Sequence, residues 1–277
     1  MSVVVLGGGG FIGSAMIDRL RADRPGRDIV APGRSQLDLS VPETFGMLED
    51  LECETVVHAA GVPGPERFDE QRRAQYLDAV AALGTRLGRL PRLRRVLFFS
   101  TGGVFDGCVS PVADDTPPRP STRYAQVKLD EEAALVDTLG DRVAVVRLFF
   151  PFGPAQRRPR LLPRLAFTVA SGEVVELDGE DGALVNPLAI GEVTAAALSI
   201  LDDPPGRYCN LGGPDVVSIR WLAETIGRTL GVSPVFRHRD RPAPNLYCRA
   251  GAWPAPAEPL ERRIADAVGS WLNQPAR

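Results

Sequence analysis

Short runs of apolar and β-branched residues recur along the first half of the chain, separated by longer stretches of mixed polarity. These runs occupy residues 2–6, 28–31, 54–60, 95–99 and 143–148. A continuous apolar run of this length is typical of a strand that is buried on both faces. Stretches with helical spacing of apolar residues lie between several of the runs. The pattern therefore predicts an α/β fold in which helices cover a parallel sheet.

The second half of the chain has a different pattern. Residues 151–164 are rich in Pro and Arg, which indicates a loop over a ligand. A weak strand at 174–177 and an amphipathic helix at about 190–201 follow. A capped helix begins near residue 217, and a last helix ends near Trp271. These elements predict a smaller structural unit beside the sheet.

The first strand leads directly into a glycine-rich turn, GGGGFIG at residues 7–13, and then into a helical pattern. Strand, glycine turn and helix in this order are typical of a dinucleotide site. Glycine lets the backbone approach a pyrophosphate, which then lies at the helix N-terminus. The candidate cofactor-binding residues here are Gly7, Gly10, Phe11, Ile12 and Gly13. The alternative interpretation is a plain turn between a strand and a helix.

The end of the second strand bears on the choice of cofactor. Folds that prefer NAD usually place an acidic residue there, where it binds the ribose 2′-hydroxyl. This chain has Arg34 instead of an acid, which favours the 2′-phosphate of NADP and leaves NAD as a possibility. Asp38 and Leu39 follow as candidate contacts of the adenine. The alternatives are a solvated loop charge for Arg34 and a turn acid for Asp38.

The third and fourth strands end in small and hydroxyl-bearing residues. Ala59, Ala60 and Gly61 follow the third strand, where a backbone must pass close to a cofactor. Ser100 and Thr101 end the fourth strand. The carboxyl ends of parallel strands form the ligand-binding edge of such a sheet. We therefore expect all five residues at the same edge.

The segment Tyr124-Ala-Gln-Val-Lys128 has the spacing of one helix face. Lys128 is the only lysine of the chain, and all other residues of this charge type are Arg. An ammonium is compact, whereas a guanidinium is planar and larger, so the two do not substitute for each other at a tight site. A cation beside a tyrosine stabilises the phenolate and suits the phenol to general acid/base work. The alternative is a solvated lysine beside a half-buried tyrosine.

Composition excludes several other classes of function. The net charge of −3 gives no basic surface for nucleic acid, and no apolar run approaches the ~20 residues that span a membrane. Four scattered cysteines lack the spacing of metal ligands and are expected to be free thiols of a cytoplasmic protein. With His58 and His238 as the only histidines, neither a metal site nor a His-based triad is indicated. His58 is expected to be a packed residue.

Six motifs together resemble the extended short-chain dehydrogenase/reductase family, the NAD-dependent epimerase/dehydratase group. They lie at 7–13, 57–61, 100–107, 124–128, 147–154 and 208–213. The resemblance covers nearly the whole chain and implies a Rossmann-type doubly wound parallel sheet with a small C-terminal substrate-binding domain. It implies a dinucleotide-binding domain at 1–150, to which about 183–212 returns. Residues 151–182 and 213–277 would then form the smaller substrate-binding portion.

The resemblance also implies roles for individual residues. Thr101 would hydrogen-bond the reacting oxygen, Tyr124 would transfer a proton, and Lys128 would hold the nicotinamide ribose and act on Tyr124. Ser100 and Phe150 join the expected cofactor contacts, together with Tyr124 and Lys128. The expected substrate contacts are Thr101, Gly102, Gly103, Tyr124 and Phe152.

Within the family, residues 34–39 and 100–107 are most similar to the dTDP-4-dehydrorhamnose reductases, and 153–157 are more similar to the sugar epimerases. Family dehydratases carry an Asp-Glu pair where this chain has Gly102-Gly103, which argues against loss of water. The first hypothesis is an NADP-preferring reductase of a keto-sugar nucleotide or similar ketone. The second is a nucleotide-sugar 4-epimerase with tightly bound NAD. A non-catalytic, redox-sensing regulator is the third, and a homodimer is expected at the level of the family.

Overall fold

The computed structural model describes residues 2–49, 51–61, 67–249, 251 and 256–273. The helices are α1 (Phe11–Asp23), α2 (Glu70–Gly88), α3 (Arg123–Leu139), α4 (Leu161–Ala170), α5 (Ile190–Asp202), α6 (Ile219–Leu230) and α7 (Leu260–Leu272). The strands are β1 (Ser2–Leu6), β2 (Ile29–Val30), β3 (Cys53–His58), β4 (Arg95–Thr101), β5 (Val143–Leu148), β6 (Pro151–Phe152), β7 (Val174–Asp178), β8 (Leu184–Val185), β9 (Leu188–Ala189), β10 (Tyr208–Leu211), β11 (Val217–Ser218) and β12 (Val235–Arg239).

Six strands form the central sheet in the order β10-β5-β4-β3-β1-β2. The pairings that join β2, β1, β3, β4 and β5 are parallel. Strands β4 and β5 are almost wholly buried, which explains why their sequences are continuous apolar runs rather than alternating ones. The predicted α/β fold with a parallel Rossmann-type sheet is confirmed.

The sheet changes direction of growth at β1. The chain adds β2 on one side of β1 and then returns to add β3 on the other side. In open α/β sheets, ligands bind outside the carboxyl ends of the strands at such a switch point. The turn after β1 and the segment after β3 are therefore the parts of the chain that the topology assigns to a ligand.

Helices α2 and α3 pack closely against each other over the sheet. A Cβ atom at Gly84 would lie 2.0 Å from Thr138 Oγ1, so the two helices approach at a point that excludes any side chain. Tyr76, Leu83 and Leu87 of α2 join Leu135 of α3 in the same buried core. This packing fixes the position of α3, which carries the Tyr124-to-Lys128 segment.

Several predicted boundaries differ from the observed ones. The loop predicted at 151–164 contains β6 and the first turn of α4, and the third strand ends at His58 instead of residue 60. The second strand is shorter than residues 28–31, because it lies at the edge of the sheet and has one neighbour. Near residue 217 a short strand, β11, precedes the helix, and Ser218 caps α6 by accepting a hydrogen bond from the Trp221 N–H at 3.1 Å. The capped helix start in this region is therefore present, two residues later than residue 217.

The chain divides into two compact units. The first comprises Met1–Cys108, Asp114–Leu148 and Thr194–Asn210, and the second comprises Val109–Ala113, Phe149–Val193 and Leu211–Arg277. The returning segment is thus shorter than the predicted 183–212, and a short loop from the first half joins the second unit. The reason is local: α5 and β10 complete the central sheet layer, whereas Val112 hydrogen-bonds to Tyr247 within the second unit.

The second unit has its own core, in which α4, α6 and α7 pack around Trp271. Three two-stranded sheets, β6-β9, β7-β12 and β8-β11, lie around these helices. Among the described residues, no helix is both long and apolar enough to cross a membrane. Within the same part of the chain, the four cysteines are free thiols and no group of three or more acidic, Cys or His side chains could hold a metal ion.

Candidate functional site

The glycine turn after β1 lies against two other pieces of backbone. Gly7 has a φ of +80°, and a Cβ atom there would lie 2.6 Å from the Ala60 nitrogen. A Cβ atom at Gly13 would lie 2.1 Å from the Gly7 oxygen. Both positions therefore require glycine, because any side chain would push the turn away from α1 or from the segment after β3. The turn, α1 and the segment after β3 therefore meet backbone to backbone at the switch point.

The N-terminus of α1 is open to an anion. Its N-cap residue is Gly10, which has no side chain to cap the helix, and its first turn contains no acidic residue. Phe11 and Ile12 begin the helix and are half-buried. Free N–H groups and the helix dipole favour a negatively charged group at this point. The turn therefore fits the pyrophosphate of a dinucleotide, as the sequence predicts.

Arg34 and Asp38 form an ion pair after β2. Arg34 Nε lies 2.9 Å from Asp38, and the Arg34 side chain is 68% exposed. The backbone N–H of Ser40 and the neighbouring Arg34 guanidinium both lower the pKa of Asp38. Asp38 thus serves as a turn acid, and its contact with adenine stays a prediction. Arg34 remains accessible to a phosphate, and Leu39 is buried.

The residues at the ends of β3 and β4 divide into two groups. The Ala59 N–H donates to the Leu6 oxygen at 2.9 Å, which draws Ala59 and Ala60 towards the glycine turn. Successive side chains of a strand point to opposite faces of the sheet. The side chains of Ser100 and Thr101 therefore lie on different faces. The Ser100 hydroxyl donates to Glu132 inside the protein and is 6% exposed. A cofactor contact through that hydroxyl is therefore not supported.

Thr101 and Tyr124 both lie close to Gly103. A Cβ atom at Gly103 would lie 3.3 Å from Thr101 Oγ1 and 4.0 Å from Tyr124 Cε1. The Gly103 N–H donates to Thr101 Oγ1 at 3.1 Å, which orients this oxygen and leaves its proton for another acceptor. Among the described residues, the Tyr124 hydroxyl has no hydrogen-bond partner. Both hydroxyls are therefore available to a ligand oxygen.

Lys128 lies one helical turn after Tyr124, in a largely buried position. Its ammonium binds Glu131 and lies 4.6 Å from the centre of the Phe98 ring. His58 packs on the same Phe98 ring, with the ring centres 5.1 Å apart. Burial and, to a lesser extent, the charge of Lys128 lower the pKa of His58 to about 3. His58 is therefore a neutral packed residue.

A second buried ion pair, between Arg147 and Glu132, lies next to this region. Arg147 of β5 donates to both oxygens of Glu132, and the two side chains are 4% and 1% exposed. The Arg147 guanidinium also lies 4.4 Å from the centre of the Tyr208 ring and 5.0 Å from that of Phe105. This pair joins α3 to the sheet. Its position shows that Glu132 is part of the framework and not a candidate acid.

Sequence reasoning missed the two consecutive acids at 131 and 132. Their spacing from Lys128 is three and four residues, which places them on its side of the helix. Acidic residues on a helix face that also carries buried Leu135 and Leu139 are a signal of paired charges. The sequence alone therefore contained a clue to Glu131.

Phe150 and Phe152 belong to the second unit. Phe150 has a φ of +47°. Among the described residues, it is the one non-glycine residue with a positive φ. Phe152 is 1% exposed and packs edge-on against Trp271, with the ring centres 6.4 Å apart. Packing accounts for Phe152, so a substrate contact through its side chain is not supported. A cofactor contact of Phe150 stays a prediction.

The curated proteins that this chain resembles are named as enzymes of nucleotide-linked sugars. The dTDP-4-dehydro-6-deoxy-D-allose reductase of Streptomyces bikiniensis is 25% identical, over 83% of this chain and 81% of its own length. The UDP-glucose 4-epimerase of Mycolicibacterium smegmatis is 28% identical, over 49% of this chain and 50% of its own. Among solved structures, RMD from Pseudomonas aeruginosa complexed with NADPH is 23% identical, with a TM-score of 0.80 over 98% of both chains. The last comparison shows a shared fold.

The sequence model of one family covers the residues described above. It matches residues 3–212 and so includes the glycine turn, Thr101, Tyr124 and Lys128. This match spans well over half of the chain and agrees with the resemblance seen in the motifs. The chain belongs to the NAD dependent epimerase/dehydratase family.

Proposed function

We propose that this protein is an NADP-preferring reductase that converts a keto group of a nucleotide-linked sugar into a hydroxyl. The observation that carries the proposal is that Thr101 and Tyr124, whose hydroxyls are both available, lie close to the same residue, Gly103. Two neighbouring hydroxyl donors suit a carbonyl oxygen, which accepts two hydrogen bonds. Lys128 lies on the same helix, one turn beyond Tyr124.

The residues of the chain divide the work of reduction. Thr101 donates a hydrogen bond to the carbonyl oxygen and holds it beside Tyr124. Tyr124 gives its phenolic proton to that oxygen as the C=O bond becomes C–OH. When bound, the reduced dinucleotide supplies the hydride that the carbonyl carbon receives. The positive charge of Lys128 stabilises the phenolate that remains, until solvent returns a proton to Tyr124.

The glycine turn and α1 would hold the cofactor pyrophosphate, and Lys128 would hold the nicotinamide ribose. Arg34, which replaces the acid typical of NAD-binding chains, would bind a 2′-phosphate. Gly102 and Gly103 leave no carboxylate beside Thr101, so the site has no acid for the expulsion of water. The names of the curated relatives support a nucleotide sugar as the substrate.

The decisive experiment follows the oxidation of NADPH and NADH in the presence of a panel of 4-keto nucleotide sugars. We expect oxidation that depends on the sugar, is faster with NADPH, and is lost in Tyr124→Phe. The matched control is Tyr208→Phe, because the Tyr208 ring packs on Arg147 of the framework ion pair and the proposal gives it no contact with the substrate. Equal rates in wild type and Tyr124→Phe would refute the proposed function.

A nucleotide-sugar 4-epimerase is the second candidate, and the partial match to the UDP-glucose 4-epimerase favours it. An epimerase oxidises and then re-reduces one carbon, so its cofactor stays bound through the cycle. We would release the cofactor by denaturing the purified protein and identify it. Retained NAD together with interconversion of 4-epimers would replace the reductase by the epimerase.

A further inference from the structure

We propose that Glu131 is the counter-ion of Lys128 and a positioning residue for it, and that Tyr76 holds the Glu131 carboxylate in place. This inference rests on the proposed role of Lys128 at the nicotinamide ribose. It adds two residues, one from α2 and one from α3, that keep the sole lysine charged and oriented before a cofactor arrives.

Burial makes a counter-ion necessary. The Lys128 side chain is 11% exposed and that of Glu131 is 4% exposed. An isolated buried ammonium loses its hydration without compensation and gives up its proton more readily. A carboxylate in direct contact reverses this effect, because it favours the charged form. Glu131 forms that contact through one of its oxygens, Oε2.

Tyr76 fixes the other oxygen of the same carboxylate. Its hydroxyl donates to Glu131 Oε1, and the Tyr76 side chain is buried. The Glu131 carboxylate is thus held between α2 and α3 by a phenol on one oxygen and an ammonium on the other. A carboxylate that is held at both oxygens has one orientation. Its contact with the ammonium therefore also fixes the position of the Lys128 side chain.

The geometry leaves the lysine ready for a ligand. An ammonium has three N–H donors. Among the described residues, Glu131 is its one hydrogen-bond partner, so two donors remain for ribose hydroxyls. Free lysine side chains lose up to about 2 kcal/mol of rotamer entropy when they are immobilised. Contacts with Glu131 and the Phe98 ring already immobilise Lys128 in the folded protein. Binding of the cofactor therefore carries no further entropy cost for this side chain.

The other charged or titratable groups around Lys128 do not supply this role. His58, from β3, is neutral because its burial lowers its pKa to about 3. Glu132, the next residue of α3, is bound by Arg147 of β5 and by Ser100 of β4. Tyr124 belongs to the reaction itself. Glu131 is therefore the carboxylate that is matched to Lys128.

The proposal predicts a pH-dependent defect in cofactor binding. Glu131→Gln keeps the shape and an acceptor oxygen but removes the negative charge. At pH 6 the affinity for NADPH should be within about threefold of wild type, because the Gln oxygen still accepts a hydrogen bond from the ammonium. Without the contacting carboxylate the charged form of the lysine is favoured less, so the affinity of Glu131→Gln should fall further below wild type as the pH rises, by at most about tenfold per pH unit.

The experiment measures the dissociation constant of NADPH from its fluorescence between pH 6 and pH 9.5. Asp130→Asn is the matched control, because Asp130 is the preceding acid of α3 and pairs with Arg73 and Gln126 instead. We expect Glu131→Gln to bind NADPH at least about tenfold more weakly than wild type at pH 9 and Asp130→Asn to follow wild type. Tyr76→Phe should show the same trend with a smaller amplitude.

Circular dichroism shows whether each variant is folded, and Tyr76→Phe keeps the test open if Glu131→Gln does not fold. Parallel pH profiles in wild type, Glu131→Gln and Tyr76→Phe would overturn the inference. That outcome leaves the proposed function intact, since it depends on Tyr124 and on turnover of a keto sugar. Normal turnover in Tyr124→Phe would instead refute the function, whatever the binding curves of Glu131→Gln.

Discussion

Mild acid should destabilise the fold through His58, the buried histidine at the end of β3. Its pKa in the folded protein is about 3, mainly because of burial and secondarily because of the Lys128 charge. A histidine in an unfolded chain takes up a proton near pH 6.5. Between pH 6.5 and pH 3 the unfolded state therefore binds a proton that the folded state excludes. Stability is complete above this window and falls as the pH falls through it.

The size of the effect follows from the difference between the two pKa values. Each pH unit inside the window changes the free energy of unfolding by about 1.4 kcal/mol. At pH 5 the solution is about 1.5 pH units below the pKa of a histidine in the unfolded chain. His58 should therefore lower the free energy of unfolding by about 2 kcal/mol relative to pH 7. A loss of this size is a substantial part of the ~5–15 kcal/mol that stabilises a typical protein.

Urea denaturation of the cofactor-free protein at pH 7 and pH 5 measures this loss. His58→Leu removes the titrating group, so wild type should lose about 2 kcal/mol more than this variant between the two pH values. Any constant effect of the substitution cancels in that difference. His238→Leu controls for the loss of a histidine, because His238 is exposed. The same pH dependence in wild type and His58→Leu would refute the reasoning.

Three further predictions concern the site. Tyr124→Phe should fold and bind cofactor but lose about 100-fold or more in turnover, measured as NADPH oxidation, because it lacks the transferred proton. Lys128→Arg should fold, bind NADPH more weakly and lose on the order of 100-fold in activity, because a guanidinium displaces the ribose; near-normal kinetics would show that only charge matters. Arg34→Ala should raise the dissociation constant of NADPH about tenfold or more and leave that of NADH nearly unchanged, because a charge-assisted hydrogen bond is lost. Equal losses for both cofactors would make Arg34 a loop charge.

The central sheet could be predicted from the sequence because its signals are local. A buried parallel strand needs a continuous apolar run, and β1, β4 and β5 each have one. The glycine turn has a local signal too, because Gly13 is required by a backbone contact with Gly7 inside the motif. The contact of Gly7 with Ala60 is distant in sequence, but the motif is recognised without it. Patterns of this kind do not depend on knowledge of distant side chains.

The partners of the site residues could not be predicted in the same way. Ser100 and Thr101 are adjacent in sequence, but the pleat of β4 sends one hydroxyl to Glu132 and leaves the other for a ligand. The carboxylate of Glu131 meets Tyr76, which lies 55 positions earlier. Such contacts depend on how α2 and α3 pack. A single sequence does not show which residues of the two helices are close in space.

The interleaved path of the chain limits how this protein can be divided. Strand β10 pairs with β5, so a fragment that ends at Leu148 would leave β5 with an unpaired edge, open to association with other chains. The second unit likewise draws Val109–Ala113 from the first half of the sequence. Neither unit is therefore encoded by one uninterrupted stretch. Engineers who wish to exchange the second unit between relatives would have to transplant three separate segments, and a single crossover at residue 150 would deliver two incomplete halves.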